Sequence, residues 1–264
     1  MKLACCLYWP ITVPEGVEMS PLVHTVYASE VILKTGFDAC EMSAQSAHGF
    51  SDEDIAKIKE KKISFASANI FIPGNLKIYG FGKELEDYVE KNLRILSSLG
   101  IPCVVFGSGT ARQRPDGVSE ADHKNEICRF LRMCSVYAER YGVDVVIEPL
   151  NYKECNVLNT VKEAYDLAKE LNLPGIRVLA DIYHMYQNGE TPDILFEAKD
   201  LLSHVHVADP ETRSYPGVTD SAYLCDFMKV LRDIGYSGTV SIECNGFPYA
   251  EHLEDAYRYM RSLM

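Results

Sequence analysis

The sequence alternates short apolar runs with longer amphipathic segments, and the alternation repeats eight times. The apolar runs are rich in β-branched residues and end at Gly, Pro, Asp or Asn, which is typical of buried strands. The predicted strands are KLACCL from Lys2, ACEMS from Ala39, SFASANIF from Ser64, CVVFG from Cys103, DVVIEPL from Asp144, IRVLADI from Ile176, SHVHVA from Ser203 and TVSIE from Thr239. Strands that alternate with helices indicate an α/β protein with a parallel sheet.

One helix is predicted after each strand. The predicted helices are 17–33, 51–62, 83–99, 119–141, 160–171, 192–199, 221–234 and 248–263. Breakers and caps agree with these limits, since Gly100 and Pro102 follow the third helix and the capping pattern NTVKE from Asn159 opens the fifth. Eight βα units in a chain of this length fit a closed (β/α)8 TIM barrel, which takes about 250 residues. We therefore predict a single TIM-barrel domain over residues 1–264.

A doubly wound open sheet is the alternative fold for this alternation. Its first βα turn normally carries a glycine-rich loop that binds phosphate. The segment WPITVPEG, which follows the first predicted strand, has no such glycine pattern. The sequence therefore favours the closed barrel.

The acidic composition argues against two classes of partner. The chain has 26 Lys and Arg against 38 Asp and Glu, a formal net charge of −12 at pH 7. Nucleic acids and anionic membrane surfaces attract clustered basic residues, so we expect neither as a partner. Apolar runs such as VDVVIE are far shorter than the roughly 20 residues that cross a bilayer. The N-terminal segment MKLACCLYWP has no cleavage-site pattern, and we expect a cytoplasmic protein.

Nine cysteines are scattered along the chain without a C-x-x-C pair. This spacing fits neither a zinc site nor a disulfide framework. We predict buried thiols in a reducing compartment and assign no cysteine a function.

Ionisable residues stand at the ends of the last four predicted strands, whereas the first half of the chain is poor in them. Glu148 ends the fifth strand, Asp181 the sixth and Glu243 the eighth, and the seventh carries His206. Active sites of TIM barrels lie at the carboxyl ends of the strands. Each residue alone fits a solvated strand end or a packed histidine, but four together indicate a cation because buried charges have to be paired or coordinated.

Three carboxylates and one imidazole, without a thiolate, form an oxygen-rich set of ligands. Such a set suits Mn²⁺, Mg²⁺ or Co²⁺ better than a structural zinc. We predict one divalent metal ion, with Mn²⁺ favoured and Mg²⁺, Co²⁺ or Zn²⁺ as alternatives. His204 shares a strand face with His206 but lies deeper in the strand, so we interpret it as a packed or hydrogen-bonded histidine.

These segments resemble the xylose isomerase-like TIM barrels, and within them the sugar isomerase and epimerase branch that includes ketose 3-epimerases similar to D-tagatose 3-epimerase. The resemblance covers the second half of the chain. Its motifs are EPLNYKE at 148–154, DIYHM at 181–185, HVHVAD at 204–209, RSYPG at 213–217 and SIE at 241–243. The first half is similar only in its βα rhythm and in loops such as FGSGTARQRP.

The resemblance implies a set of four metal ligands, Glu148, Asp181, His206 and Glu243. It also implies that Glu148 and Glu243 are the catalytic acid/base pair. In such enzymes the metal polarises a substrate carbonyl, one carboxylate removes a proton from the neighbouring carbon to give a cis-enediolate, and a second carboxylate returns a proton from the other face. The expected activity is therefore that of a metal-dependent isomerase, of the ketose 3-epimerase or aldose-ketose isomerase type.

Five further residues are candidates for binding a sugar or keto-sugar substrate. By position, the resemblance assigns His184 and Arg213 to the developing oxyanion and Glu154 to substrate hydroxyls. Tyr8 and Trp9, at the end of the first predicted strand, are expected to form an apolar wall of the pocket. Barrels of this family are often dimers or tetramers, so the resemblance also implies a homo-oligomer.

Several reactions on this scaffold begin with the same proton abstraction. The enzymes that catalyse them include hydroxypyruvate-type isomerases, keto-inositol or dehydroshikimate dehydratases, and enzymes that cleave carbon-linked 3-keto-glycosides. The sequence motifs do not distinguish among these activities. A zinc-dependent apurinic endonuclease needs extra histidines that the strand ends ASANIF and VVFGSG lack. A non-catalytic binding barrel is disfavoured by the intact Glu148 and Glu243. Arg112 suits either a substrate-binding arm or a surface loop.

Overall fold

Eight parallel strands form a closed barrel in the computed structural model, which describes residues 1–7, 16–219, 221–245 and 249–264. The strands are β1 (Lys2–Cys6), β2 (Ala39–Ser43), β3 (Phe65–Asn69), β4 (Cys103–Phe106), β5 (Asp144–Ile147), β6 (Ile176–Asp181), β7 (Leu202–Val207) and β8 (Thr239–Ile242). Each strand pairs with the next along the chain, and β1 pairs with β8 to close the ring. The predicted TIM barrel is confirmed.

Helices surround the barrel on the outside. In the described residues they are α1 (Pro21–Thr35), α2 (Ala44–His48), α3 (Asp52–Glu60), α4 (Lys83–Ser98), α5 (Gly109–Arg112), α6 (Glu120–Tyr141), α7 (Val161–Leu171), α8 (Ile182–Gln187), α9 (Ile194–Ala198), α10 (Ala222–Asp233) and α11 (Tyr249–Leu263). The short helices α2, α5 and α8 were not predicted from the sequence. Within these ranges, no helix has both the length and the apolar character that a membrane span requires.

Helix α1 shows how local chemistry sets a boundary that periodicity misses. It begins at Pro21 instead of the predicted residue 17, because the Ser20 hydroxyl accepts a hydrogen bond from the backbone N–H of Val23 at 3.2 Å. Proline fits the first turn because its missing N–H is not needed there. The helix ends at Gly36, whose φ of 113° favours glycine.

The main hydrophobic core lies between the barrel and its helices, where outward-facing strand residues such as Val145 and Val205 pack with helix residues such as Phe227. The strand faces that point into the barrel have a different composition. Small apolar clusters occur there, one containing Val105 and Leu179. Toward the carboxyl ends of the strands the inner face becomes polar, with five completely or almost completely buried residues: Glu41, Ser67, His204, His206 and Ser241. Buried polar and ionisable side chains therefore lie inside the barrel.

Arg112 fastens the end of β4 to the loop that follows β5. Its guanidinium is fully buried and donates to the carbonyl oxygens of Phe106 at 2.9 Å and Leu158 at 3.2 Å. Both interpretations of Arg112 from the sequence, a substrate-binding arm or a surface residue, are therefore wrong. The residue holds the loop that begins at Glu148, which positions the candidate site.

We expect the substitution Arg112→Met to lower the free energy of unfolding by about 3 kcal/mol, since each lost hydrogen bond to a charged donor contributes about 1.5–3 kcal/mol. Urea unfolding measures this change. The control Lys124→Met removes only an exposed ion pair with Glu170 and should change stability by less than about 1 kcal/mol. Equal effects of the two substitutions would contradict the assigned role of Arg112.

Candidate active site

The four predicted ligands lie together at the carboxyl end of the barrel. Glu148 and Glu243 directly follow β5 and β8, Asp181 is the last residue of β6, and His206 lies near the end of β7. Parallel pairing places Asp181 opposite His206 and His206 opposite Ser241. One ligand atom from each of the four residues lies within 4.8 Å of the others. The strand register therefore brings together side chains that are up to 95 positions apart in the chain (243 − 148).

Nδ1 of His206 is the point on which the carboxylates converge. It lies 3.1 Å from Oε1 of Glu148 and 3.4 Å from Oε2 of Glu243. Oδ2 of Asp181 lies 3.8 Å from the same nitrogen. All four side chains are buried or nearly so, with exposed side-chain fractions of 12% or less. Because buried carboxylates need a compensating charge, this donor set fits a divalent cation with a preference for oxygen and imidazole ligands.

The surroundings shift the carboxyl pKa values in opposite directions. Burial raises the pKa of Glu148 and raises that of Asp181 to about 6. Burial also opposes ionisation of Glu243, but the neighbouring His206 and Arg213 outweigh it and lower the pKa of Glu243 to about 2. Two nearby carboxyls with divergent pKa values are the usual arrangement of an acid/base pair.

Asp181 also begins a helix, and this fixes its orientation. Its Oδ1 accepts hydrogen bonds from the backbone N–H groups of Tyr183 at 2.7 Å and His184 at 3.2 Å, which caps α8. The other oxygen, Oδ2, faces His206. The cap therefore leaves one defined carboxylate oxygen for the candidate site.

His184 presents a hydrogen-bond donor to the same pocket. The backbone N–H of Asn151 donates to Nδ1 of His184 at 3.2 Å. Since that nitrogen accepts, we assign the ring proton of the neutral imidazole to Nε2. Nε2 is buried and has no hydrogen-bond partner among the described residues. His184, which lines the pocket, thus holds a buried N–H donor ready for a bound molecule.

Arg213 lies between Glu154, another predicted substrate contact, and the carboxylate of Glu243. Its guanidinium lies 3.0 Å from Oε1 of Glu154 and 3.5 Å from Oε2 of Glu243. Asn151 donates a second hydrogen bond to Glu154, at 2.9 Å. His184, Arg213 and Glu154 therefore lie at one site, whereas the predicted contacts Tyr8 and Trp9 lie outside the described residues.

The pocket above the carboxylates has a volume of about 260 Å³, and Asn69, Gly107 and Glu148 are among its lining residues. A Cβ at position 107 would lie 2.0 Å from Oε2 of Glu148. Glycine directly after β4 is thus required for Glu148 to reach the pocket. A larger groove of about 580 Å³ lies on the outside, between α6 and α7, and contains none of the four clustered residues.

Glu41 was not predicted from the sequence, because it lies inside a strand of the first half of the chain and not at a strand end. Glu41 lies within β2, is fully buried and places Oε1 2.9 Å from Nε2 of His206. A glutamate inside the otherwise uncharged strand ACEMS was the available signal. As predicted, His204 is hydrogen-bonded inside the barrel, with Nε2 3.1 Å from the Ser67 hydroxyl.

Most of the cysteines are buried thiols, as predicted. Eight of the nine are buried, and no disulfide joins them. Cys6, to which the sequence assigned no function, lies beside the site, because its sulfur belongs to a group with Glu41 and His206 whose ligand atoms lie within 4.8 Å of one another.

The chain belongs to the xylose isomerase-like TIM barrel family, whose family model matches residues 30–263. The predicted family is confirmed. The chain is 28% identical over 236 residues to a 3-dehydro-D-guloside 4-epimerase of Escherichia coli strain K12, across 86% of this chain and 88% of that protein. It is 37% identical over 109 residues to a ketose 3-epimerase of Arthrobacter globiformis, across 40% of this chain and 36% of that protein.

A solved structure extends the likeness in fold to the whole chain. The apo crystal structure of 3-keto-D-glucoside 4-epimerase from Escherichia coli aligns with a TM-score of 0.80 and 24% sequence identity, covering 99% of each chain. At this level of identity the match supports the shared fold.

His184 should make stability depend on pH in a defined direction. Burial lowers its pKa below the ordinary 6.5. As the pH falls through 6.5, the unfolded chain takes up a proton at this residue before the folded chain does, so the free energy of unfolding decreases. Between about pH 7.5 and about pH 5, metal-free His184→Gln should therefore lose less stability than metal-free wild type.

Urea unfolding in the presence of a chelator measures both losses. Equal losses in the two proteins would contradict a buried, neutral His184.

Proposed function

We propose that this protein is a divalent-metal-dependent sugar epimerase that acts on a carbon next to a carbonyl group. The observation that carries the proposal is the convergence of the buried carboxylates of Glu148 and Glu243 on Nδ1 of His206. The sugar epimerases among its curated relatives support the same class of reaction. A free ketose or a 3-keto-glycoside is the expected substrate.

Four residues would hold the metal ion: Glu148, Asp181, Nδ1 of His206 and Glu243. A divalent cation held there would polarise a carbonyl group and make the neighbouring C–H more acidic. Mn²⁺ is the proposed ion because it accepts both carboxylate oxygens and imidazole, and Mg²⁺, Co²⁺ and Zn²⁺ are alternatives.

Glu148 and Glu243 are proposed to move the proton. Inverting a carbon centre requires one group to remove a proton and a second group to return one from the opposite side. His206 and Arg213 lower the pKa of Glu243, so that it is ionised at neutral pH and has a carboxylate oxygen that can accept the proton. Glu148, whose pKa burial raises, is suited to hold and return a proton. The reverse reaction exchanges these two roles.

Neighbouring donors would stabilise the negative charge that develops on the substrate. The Nε2–H of His184 and the guanidinium of Arg213 are preorganised in the pocket, and donors held in place are more effective there than in water. Glu154, held by Arg213 and Asn151, would accept hydrogen bonds from sugar hydroxyls. These residues orient the sugar, and the carboxylates carry out the proton transfer.

Proton exchange tests the proposed reaction at its first step. A panel of free ketoses and 3-keto-glycosides is incubated in D₂O with the Mn²⁺-loaded protein, and the metal is removed before NMR spectra are recorded. We expect deuterium to enter at a carbon next to the carbonyl. Glu148→Gln and Glu243→Gln should each slow the conversion to the epimer by at least about 100-fold, because an amide does not carry the proton.

The matched control is Glu190→Gln, which changes a partly buried carboxylate outside the pocket that accepts a hydrogen bond from the backbone N–H of Val161. It should exchange and epimerise at the wild-type rate. Wild-type turnover in Glu148→Gln or Glu243→Gln would contradict the acid/base assignment. Absence of exchange on every sugar of the panel, with Mn²⁺ bound, would contradict the proposed class of reaction.

A further inference from the structure

Glu41 joins two histidines across the interior of the barrel. Its Oε1 lies 2.9 Å from Nε2 of His206, and its Oε2 lies 2.9 Å from Nε2 of His204. Strands β2 and β7, which carry these residues, are not neighbours in the barrel. The contacts therefore cross the interior, where all three side chains have exposed fractions of 1% or less.

The chemistry of these contacts determines which nitrogen of His206 carries the proton. An ionised carboxylate only accepts hydrogen bonds, and burying it without donors is strongly unfavourable. The satisfied arrangement has an N–H on Nε2 of each histidine, donating to one oxygen of Glu41. In the neutral imidazole that a metal ion requires, His206 then keeps the lone pair on Nδ1, which is the nitrogen that faces Glu148, Asp181 and Glu243.

We infer that Glu41 is a positioning residue of the candidate metal centre, which holds His206 in the tautomer protonated on Nε2 and directs the lone pair of Nδ1 toward the three carboxylates. The inference rests on the proposed function, because it assumes that His206 binds the metal. Carboxylates hydrogen-bonded to a metal-binding histidine fix the ring and raise the basicity of the ligand, and their loss typically weakens metal binding by about 10–100-fold.

The alternative to a positioning role is that these residues form a second metal site. Cys6, Glu41 and His206 place their ligand atoms within 4.8 Å of one another. Such a site would require Nε2 of His206 to lose its proton and both ring nitrogens to bind metal. The 2.9 Å separation between Nε2 and Oε1 of Glu41 is an ordinary hydrogen-bond length, which favours the positioning role.

The substitution Glu41→Gln tests the inference, because it replaces one of the two acceptor oxygens with an NH₂ group, which cannot accept a hydrogen bond from a histidine N–H. Titration of the metal-free chain with Mn²⁺, against a competing chelator, gives the dissociation constant. We expect it to rise by about 10–100-fold in Glu41→Gln. The matched control Ser67→Ala removes the other contact of His204 and leaves both contacts of Glu41 in place, so its dissociation constant should stay within about twofold of wild type.

A spectroscopic measurement on the wild-type protein is independent of whether Glu41→Gln folds. Long-range ¹H–¹⁵N correlation spectra of the Zn²⁺-loaded protein, labelled with ¹⁵N-histidine, identify the ring nitrogen that carries the proton. We expect a proton on Nε2 of His206, protected from solvent exchange, with Nδ1 bound to the metal. In Glu41→Gln this proton should exchange faster, an effect that a purely structural role would not produce.

Three results would overturn the inference. The first is Mn²⁺ affinity of folded Glu41→Gln within about twofold of wild type. The second is coordination through Nε2 of His206 in the wild-type spectra. The third is binding of two ions per wild-type chain with loss of one in Glu41→Gln, which would make Glu41 a ligand. A wild-type protein that binds no metal would instead refute the proposed function itself, and the inference would fall with it.

Discussion

The repulsion among three buried carboxylates is the interaction on which the rest of the site depends. Glu148, Asp181 and Glu243 meet at one imidazole nitrogen in a setting that excludes most water. Burial, together with the neighbouring charges of Glu243 and Glu148, raises the pKa of Asp181 to about 6, whereas His206 and Arg213 outweigh burial at Glu243 and lower its pKa to about 2. A divalent cation would relieve the same repulsion. The arrangement thus links metal binding and proton transfer.

The barrel holds these groups through contacts that also serve the fold. One oxygen of Asp181 caps α8, so the other is left to face the site. Gly107 leaves the space that Glu148 occupies, and Arg112 ties the loop beyond Glu148 to the end of β4 by binding the carbonyl oxygens of Leu158 and Phe106. On the inner side, Glu41 meets His206 from across the barrel. The reactive groups are therefore held by rigid elements, as precise positioning of a reaction requires.

The sequence predicted those features of the structure that depend on residues close together along the chain. Strand periodicity located the barrel, and the positions at strand ends located Glu148, Asp181, His206 and Glu243. Contacts across the barrel interior have no such pattern, which is why the partner of Glu41 could not be predicted. The same holds for Arg112, whose burial depends on a loop 46 residues away.

Anomalous diffraction from crystals of the Mn²⁺-loaded protein, collected at the manganese absorption edge, tests the central claim most directly. The account predicts one anomalous peak per chain, in contact with Nδ1 of His206 and with carboxylate oxygens of Glu148, Asp181 and Glu243. It would be contradicted by a peak located elsewhere, such as between Cys6 and Glu41, or by the lack of any peak in protein soaked in excess Mn²⁺.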